Sequence, residues 1–310
     1  MVHHRHLSAA LAILVLAACG NTEGAPPEPA PAPETAEAAG EEMASDTAAP
    51  AAPETGSLAW AAAGDWRGDS VGRNDARNPV ETLEFFAIEP SDTVIELWPG
   101  GGWYSQILAP YLAAGGGQLV AATWDPEAFE GERRGRIEER IDAYGEAFSD
   151  AALFGDVTIS ALSDTSGPLA EPGTADAVLT FRNIHNWMSG AYLDKAFADA
   201  HAALKPGGTL GVVEHRLPST AEQDPAARSG YVHEDVVIQA AERAGFVLEA
   251  RSEINANPAD TADHPFGVWT LPPNSRTADR DGNAPDDFDP ALYAAIGESD
   301  RMTLKFTKPE

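Results

Sequence analysis

Polar and ionisable residues follow five short apolar segments of the sequence, and their side chains have the chemistry for ligand binding and proton transfer. A histidine titrates near neutral pH and can act as a general base, and a carboxylate can accept hydrogen bonds from two hydroxyls of one ligand. Glycines let the backbone approach a ligand closely. In chain order these residues are Glu96 with Gly100, Gly101 and Gly102; Asp125; Asp164; Arg182, Asn183, His185, Asn186 and Trp187; and Glu214, His215 and Arg216.

The glycine run at residues 100–102 allows three interpretations. A phosphate-binding P-loop would need a Gly-Lys-Ser/Thr sequence, which does not follow this run. A dinucleotide fingerprint would need glycine at position 105, where Ser105 stands, so only a variant of that motif is possible. The third interpretation is a nucleoside ligand, both of whose ribose hydroxyls donate to Asp125.

Alternating strand-like and helix-like segments from about Asn78 onward must position these residues. We predict strands at residues 93–97, 118–123, 157–162, 177–181 and 209–214, followed by two more at 246–252 and 302–307. Helices are predicted at residues 79–86, with Asn78 as the N-cap, and at 103–112, 132–148, 192–204 and 233–244. This alternation predicts an α/β fold, namely a Rossmann-like doubly wound sheet of seven strands, five parallel and a C-terminal pair, with helices on both faces.

The polar residues should converge at one edge of this sheet. In an open parallel sheet, ligands bind beyond the carboxyl ends of the strands, near the point where the strand order reverses. The segment at about 255–290 is long for a loop without secondary structure, so it is either a functional lid or partly disordered.

Two stretches carry a resemblance to a known family. Residues 94–105, VIELWPGGGWYS, and residues 203–208, ALKPGG, resemble class I S-adenosylmethionine-dependent methyltransferases, and the resemblance covers about residues 78–308. With FRNIHNW at residues 181–187, the chain looks closest to a bacterial group of predicted methyltransferases. The family motif is acid-x-Gly-x-Gly-x-Gly, and here Trp98 stands in place of the first glycine, which narrows the cofactor channel.

The resemblance implies S-adenosylmethionine as the cofactor and in-line transfer of its methyl group to a small-molecule acceptor. It implies that Asp125 holds the ribose, that Asp164 lies near the adenine amino group, and that residues 182–187 face the transferable methyl group. The glycines would pass beneath the amino-acid part of the cofactor. The expected cofactor-binding residues are Glu96, Gly100, Gly101, Gly102, Asp125 and Asp164.

The expected catalytic residues are His185, Arg182 and Asn183. His185 is the candidate base if the acceptor begins protonated; the competing interpretation is that it fixes the loop by bonding a carbonyl group. Arg182 either holds a carboxylate or phosphate of the acceptor or pairs with a neighbouring acid. His215 and Glu214 could join His185 around a metal ion, but their spacing matches no known ligand motif, so we expect no metal.

The N-terminal residues have the features of a bacterial lipoprotein signal. Basic residues precede an apolar run at residues 7–19 that is too short to span a bilayer, and residues 16–19, Leu-Ala-Ala-Cys, resemble a lipobox. An ordinary secretory signal with a chance cysteine is the alternative. We expect a signal peptide at 1–18, a lipidated Cys19 with a disordered Ala/Pro/Glu tether at 19–56, and a methyltransferase-like domain at 57–310. Gly20 favours the outer membrane, with the domain facing the periplasm and anchored through Cys19.

Charge and cysteine content exclude several classes of protein and site. The net charge is −29, and residues 57–310 hold 19 basic against 41 acidic residues, so a nucleic-acid partner is not expected. The single cysteine excludes an intramolecular disulfide and a cysteine-based zinc cluster. We expect a monomer whose partner is a small-molecule methyl acceptor.

The predicted export of the domain conflicts with its predicted cofactor, because S-adenosylmethionine is made in the cytoplasm and the lipoprotein signal would place the domain outside it. Two function classes therefore stand: an active small-molecule methyltransferase, and a methyltransferase-like envelope binding module in which catalysis is weakened or lost. Trp98 and the signal favour the binding module, whereas Asp125 and the polar edge favour the enzyme. A dinucleotide-binding oxidoreductase is the third alternative.

Overall fold

One seven-stranded sheet is the frame of residues 52–310, the part of the chain that the computed structural model describes. The spatial order of its strands is β3-β2-β1-β4-β5-β7-β6, where the strands are β1 (Thr93–Leu97), β2 (Gln118–Trp124), β3 (Thr158–Leu162), β4 (Ala175–Phe181), β5 (Leu204–His215), β6 (Val247–Ser252) and β7 (Arg301–Thr307). Strands β1 to β5 pair in parallel, and β7 runs antiparallel to both β5 and β6. The predicted fold class, a Rossmann-like doubly wound sheet with five parallel strands and a C-terminal pair, is confirmed.

Cys19, the predicted signal peptide and most of the predicted tether lie outside the described residues. No helix within residues 52–310 combines the length and the apolar character that crossing a bilayer requires.

Helices cover both faces of the sheet. The α-helices are α1 (Leu58–Ala62), α2 (Asn74–Arg77), α3 (Pro79–Phe85), α4 (Ser105–Gly115), α5 (Gly131–Ala147), α6 (Ala151–Phe154), α7 (Ile184–Ser189), α8 (Leu193–Ala203), α9 (Glu234–Arg243) and α10 (Pro290–Ile296). Short 3-10 helices lie at Asp65–Arg73, Pro126–Ala128 and Gly267–Thr270.

The two faces follow from the alternation of side chains along each strand. In β1, Ile95 and Leu97 belong to a buried apolar cluster that includes Phe197 of α8 and Val237 of α9. Val94 belongs to a second buried cluster on the opposite face, together with residues of α1, α3 and α4. The apolar strands are thus buried from both sides, which leaves their carboxyl ends as the place for polar side chains.

Two local predictions need correction. Asn78 does precede a helix, but its backbone is left-handed (φ 42°) and its side-chain amide donates to the carbonyl of Ile254 at 2.8 Å instead of capping α3. The helix predicted at 192–204 ends at Ala203, and the strand predicted to begin at residue 209 begins at Leu204, so residues 205–208 belong to β5. Here the pairing of Ala175 with Leu204 in the sheet outweighs the turn-forming preference of the Pro-Gly-Gly sequence.

The long segment between β6 and α10 is ordered by hydrogen bonds. Asp260 accepts from the hydroxyl of Tyr231 at 3.0 Å and from the backbone N–H of Asp300 at 2.8 Å, and its carboxylate lies 2.7 Å from Nε2 of His264. The side-chain amide of Asn257 donates to the carbonyl of Glu298 at 2.7 Å. These hydrogen bonds hold residues 257–264 of the segment, and its 3-10 turn lies beside His185 and His215 at the carboxyl ends of β4 and β5. Both interpretations of the whole segment, a lid or partial disorder, stay predictions.

Candidate functional site

The chain leaves β1 and β4 in the same way at the point where the strand order reverses. Trp98 follows β1 with φ 48°, and Arg182 follows β4 with φ 64°, so both lie in the left-handed region. Each backbone N–H still extends the sheet, from Trp98 to the carbonyl of Ala122 and from Arg182 to that of Val213, both at 2.7 Å. Such a conformation costs about 1–3 kcal/mol for a residue with a side chain, and it persists where the surrounding contacts enforce it.

Asn183 joins these two exits. Its side-chain amide is buried and donates to the carbonyls of Leu97 at 2.9 Å and Trp98 at 3.3 Å. Both strands at the reversal point are therefore held in one arrangement. Asn183 is a positioning residue on this geometry, and direct contact with a substrate stays a prediction.

The glycine run divides into two parts. Gly100 and Gly101 are exposed, have open space where a Cβ would project, and line a cavity of about 420 Å³ together with Arg77 and Arg182. Gly102 is buried, has φ 79°, and a Cβ there would lie 2.7 Å from the ring of Phe148. The first two glycines can thus admit a ligand to the backbone, whereas the third allows the loop to pack against the residue that ends α5.

Glu96 lies beneath this loop. Its side chain is 2% exposed and accepts a hydrogen bond from the hydroxyl of Ser105 at 2.6 Å. Burial raises the pKa of Glu96 to about 7, an effect that the Ser105 hydroxyl and Arg182 partly offset. Through this hydrogen bond Glu96 connects β1 to the first turn of α4 and supports the glycine loop between them. Its contact with a cofactor stays a prediction.

Asp125 and Asp164 line the largest of these cavities, about 720 Å³, at the ends of β2 and β3. Asp125 accepts from the backbone N–H of Glu127 at 3.0 Å and from the hydroxyl of Ser163 at 2.9 Å. A carboxylate has about four acceptor positions, so Asp125 can accept two further hydroxyls. Asp164 is exposed at the rim. Its side chain is available to an amino group.

Aromatic rings form the inner wall of the same cavity. The indole of Trp98 packs against the rings of Trp124 at 5.5 Å and Tyr192 at 6.1 Å between centroids, and its Nε1 donates to the carbonyl of Leu162 at 3.0 Å. Trp98 also lines the cavity above Gly100 and Gly101. Aromatic walls suit a planar ring, and the remaining acceptor positions of Asp125 suit hydroxyl donors. Trp98 lies where this cavity meets the cavity lined by Gly100 and Gly101.

His185 and Glu214 form a buried pair at the ends of β4 and β5. Nδ1 of His185 lies 3.0 Å from Oε1 of Glu214, whose side chain has 0% exposure. The same carboxylate accepts the backbone N–H groups of Ile184 at 2.6 Å and of His215 at 2.9 Å. With Nδ1 as the donor to Glu214, the lone pair of His185 lies on Nε2, where a general base needs it.

His215 lies beside this pair. The ring centroids of His185 and His215 are 5.5 Å apart, and Nδ1 of His215 lies 2.6 Å from the hydroxyl oxygen of Ser299. Burial first, then the neighbouring His185 and the arginines Arg182, Arg301 and Arg77, lower the pKa of His215 well below its usual range. His215 is therefore neutral near pH 7.

The ligand atoms of His185, Glu214 and His215 lie within 4.8 Å of one another, close enough to hold a metal ion. These three residues were grouped from the sequence, although their spacing matches no known ligand motif. The carboxylate of Glu214 is, however, engaged by three N–H donors, and Arg77 and Arg182 line the cavity that both histidines face. The positive charges of Arg77 and Arg182 oppose the binding of a metal cation beside them. The geometry therefore favours hydrogen bonds among these side chains over metal binding.

Arg77 and Glu298 come from segments that were not predicted to contribute to the site, whereas Trp269 comes from the long segment that was predicted to be either a lid or partly disordered. Arg77 ends α2, Trp269 belongs to the long segment before α10, and Glu298 precedes β7. With Arg182, His185 and His215 they line a cavity of about 260 Å³, and the Trp269 ring lies 6.0 Å from that of His185. No local motif marks these residues, because their partners are up to 225 positions away in sequence.

Several solved structures resemble this chain at low identity. They include an S-adenosylmethionine-dependent methyltransferase from Aquifex aeolicus, with 17% identity, a TM-score of 0.44 and coverage of 59% of this chain and 87% of that one. The CcbJ methyltransferase from Streptomyces caelestis has 15% identity, a TM-score of 0.45 and coverage of 76% and 90%. The cyclase SpnF has 17% identity, a TM-score of 0.47 and coverage of 76% and 81%.

No protein-family model matches the chain, and no curated protein is significantly similar to it in sequence. The resemblance to solved structures is too low in identity and TM-score to carry a conclusion about activity. A functional conclusion must therefore rest on the residues that the fold brings together.

Proposed function

We propose that this chain is an S-adenosylmethionine-dependent methyltransferase that acts on a small-molecule acceptor. The observation that supports this most is the succession of three cavities along the carboxyl ends of the strands. The Asp125 cavity shares Trp98 with the glycine-loop cavity, which shares Arg77 and Arg182 with the cavity that contains His185. This succession suits a nucleoside, an amino-acid group and an acceptor in that order.

Each residue has a defined part in this proposal. When bound, the cofactor supplies an electrophilic methyl group. Asp125 accepts hydrogen bonds from the two ribose hydroxyls, and Asp164 lies near the adenine ring. The backbone of Gly100 and Gly101 leaves room for the amino-acid group of the cofactor. Because methyl transfer is a displacement at carbon, holding the acceptor in line contributes most of the rate enhancement.

His185 serves as the base for an acceptor that begins protonated. Nε2 takes the proton, while the carboxylate of Glu214 holds the ring through Nδ1 and stabilises the imidazolium that forms. His215 is neutral and bonded to Ser299, so it adds no second positive charge beside the one that develops on His185. The ring of Trp269 lies nearly perpendicular to that of His185, with 6.0 Å between their centroids.

Calorimetric titration of the full chain with S-adenosylmethionine and S-adenosylhomocysteine tests the proposal. We expect both to bind, and Asp125→Ala to weaken binding roughly tenfold or more, since it removes hydrogen bonds to two hydroxyls. Asp142→Ala, which removes an exposed carboxylate from α5, is the matched control and should bind as the unchanged chain does. Absence of heat from either ligand at millimolar concentration would remove the enzyme proposal.

A binding module with weakened catalysis is the second candidate, and the indole of Trp98 favours it. Its ring stands between the Asp125 cavity and the glycine-loop cavity, so a ligand that occupies both must pass it. If Trp98 is a wall of the cofactor site, Trp98→Gly should weaken S-adenosylhomocysteine binding. Tighter binding by Trp98→Gly would mean that the ring obstructs the site, as the binding module requires.

A further inference from the structure

Positive charge is concentrated around the acceptor end of the site in an otherwise acidic domain. Three arginines share the single carboxylate of Glu298: Arg73 at 2.7 Å, Arg77 at 3.1 Å and Arg301 at 3.3 Å. Burial, followed by the charge of the neighbouring Arg182, lowers the pKa of Arg77 to about 9 and that of Arg301 to about 10. Arg77 and Arg301 therefore remain protonated near pH 7, and the single carboxylate of Glu298 does not neutralise the arginine group.

Arg182 is the fourth cation and has no acid of its own. Within residues 52–310, no carboxylate lies at ion-pair distance from its guanidinium, and its side chain donates no hydrogen bond. Its position is nevertheless enforced, because the backbone is held left-handed by the bond to Val213. The alternative that Arg182 pairs with a neighbouring acid is therefore wrong for the described part of the chain.

The side chains of Arg77 and Arg182 line both the glycine-loop cavity and the cavity of His185 and His215. The imidazoles of His185 and His215 and the hydroxyl of Ser299 add hydrogen-bonding atoms to the second cavity, and the carboxylate of Glu298 in its lining is already shared by three arginines. Guanidinium groups bind planar or tetrahedral oxyanions in forked geometry. We infer that the methyl acceptor carries an oxyanion, a carboxylate or phosphate group, which Arg182 and Arg77 hold beside His185.

This inference rests on the proposed function, because only a methyltransferase has a methyl acceptor. The geometry also distinguishes the proposed anion site from the place of the cofactor's own carboxylate. The anion cavity contains His185, the proposed base, and Trp269 of the covering segment. His185 and Arg182 line the same cavity, so a single molecule bound there can contact both of them. That molecule presents its nucleophilic atom to His185 and its charged group to Arg182.

Titration of the full chain with inorganic phosphate and with acetate at constant ionic strength tests the site. We expect saturable binding of at least one ion, the better one indicating which group the acceptor carries. Arg182→Gln should weaken that binding roughly tenfold or more, because one charge-assisted hydrogen bond is lost. Arg182→Lys retains the charge and should lose less. Arg243→Gln, at an exposed pair with Asp194, is the matched control and should bind as the unchanged chain does.

Arg182 is a suitable test position because its side chain makes no ion pair or hydrogen bond within residues 52–310, so its replacement leaves no bonded group without a partner. If neither ion binds saturably, or if Arg182→Gln binds as tightly as the unchanged chain, the inference is overturned. Repeating the titration with saturating S-adenosylhomocysteine distinguishes a site for the acceptor's anionic group from a site for the cofactor's own carboxylate. Retained ion binding supports an acceptor site, whereas displacement assigns the arginines to the cofactor and overturns the inference. Failure of S-adenosylhomocysteine itself to bind removes the proposed function, and the ion titration alone then reports on the anion site.

Discussion

Nδ1 of His185 lies 3.0 Å from a carboxylate oxygen of Glu214, and that carboxylate has no solvent-exposed surface. Two backbone N–H groups, those of Ile184 and His215, point at the same carboxylate. Backbone N–H groups can only donate, so Glu214 is the acceptor of the whole arrangement. The histidine therefore has one orientation and one neutral tautomer, with its proton on Nδ1.

Replacing Glu214 by glutamine should disturb this arrangement. In Glu214→Gln, one oxygen becomes an amide nitrogen, so one backbone N–H loses its acceptor inside the protein. We expect a loss of about 1–3 kcal/mol in the free energy of unfolding, measured by urea denaturation. Nitrogen-15 NMR should find the His185 proton on Nδ1 in the unchanged chain and a mixed tautomer population in the variant.

The matched control is Glu249→Gln, which removes a partly exposed partner of Lys305 and should change stability by less than about 0.5 kcal/mol. A His185 proton found mainly on Nε2 in the unchanged chain would contradict the assignment of the base.

The two kinds of glycine in the loop make a second test. Gly102→Ala should cost about 1–3 kcal/mol of stability, because φ is 79° and the new Cβ would lie 2.7 Å from Phe148. Gly101→Ala meets no atom within 4 Å and should change stability by less than about 0.5 kcal/mol. Its methyl group projects into the cavity and should weaken S-adenosylhomocysteine binding. Equal losses of stability in the two variants would show that the packing role of Gly102 is wrong.

Glu96 should give the protein a specific pH dependence. Burial raises its pKa from 4.5 to about 7, so between these values the unfolded chain releases this proton while the folded chain retains it. The stabilising contribution of protonated Glu96 is therefore complete below about pH 4.5, falls as the pH rises, and is lost above about pH 7.

Glu96→Gln has no proton to release and can still accept from Ser105. At about pH 8 the variant should exceed the unchanged chain in free energy of unfolding by up to about 3 kcal/mol, and the difference should shrink toward about pH 5. Urea denaturation across this range measures it, with the exposed Glu139→Gln as the control. A difference that does not vary with pH would contradict the raised pKa.

Attachment through Cys19 is a separate proposal, since that residue lies outside the described part of the chain. Acylation of the cysteine would anchor the domain in the cell envelope, facing the periplasm. Cys19→Ser, expressed in a bacterium that processes lipoproteins, should move the protein from the membrane fraction to the soluble fraction. Continued membrane association of the variant would count against the lipid anchor. If the unchanged chain and Cys19→Ser are both found in the soluble fraction, the N-terminal segment is an ordinary secretory signal.

Local patterns were sufficient for the sheet. The first strand was predicted at residues 93–97 and is observed there, because a short β-branched run between turn residues is stable in few other ways. Asp125 and Asp164 were expected at the same edge, and they line one cavity. The capping of α3 was not predictable, because the partner of Asn78 is the carbonyl of Ile254, 176 positions away.

The succession of strands and helices along the chain, and with it the placement of Asp125, Gly100 and His185 at one edge of the sheet, was predictable from the amino-acid sequence. Hydrophobic periodicity and turn residues encode these features locally. The identity of the cations around His185 depends on tertiary packing. Arg77, Arg182 and Glu298 meet through packing of segments that are distant in sequence, and no local pattern determines the balance of charge that such a meeting creates.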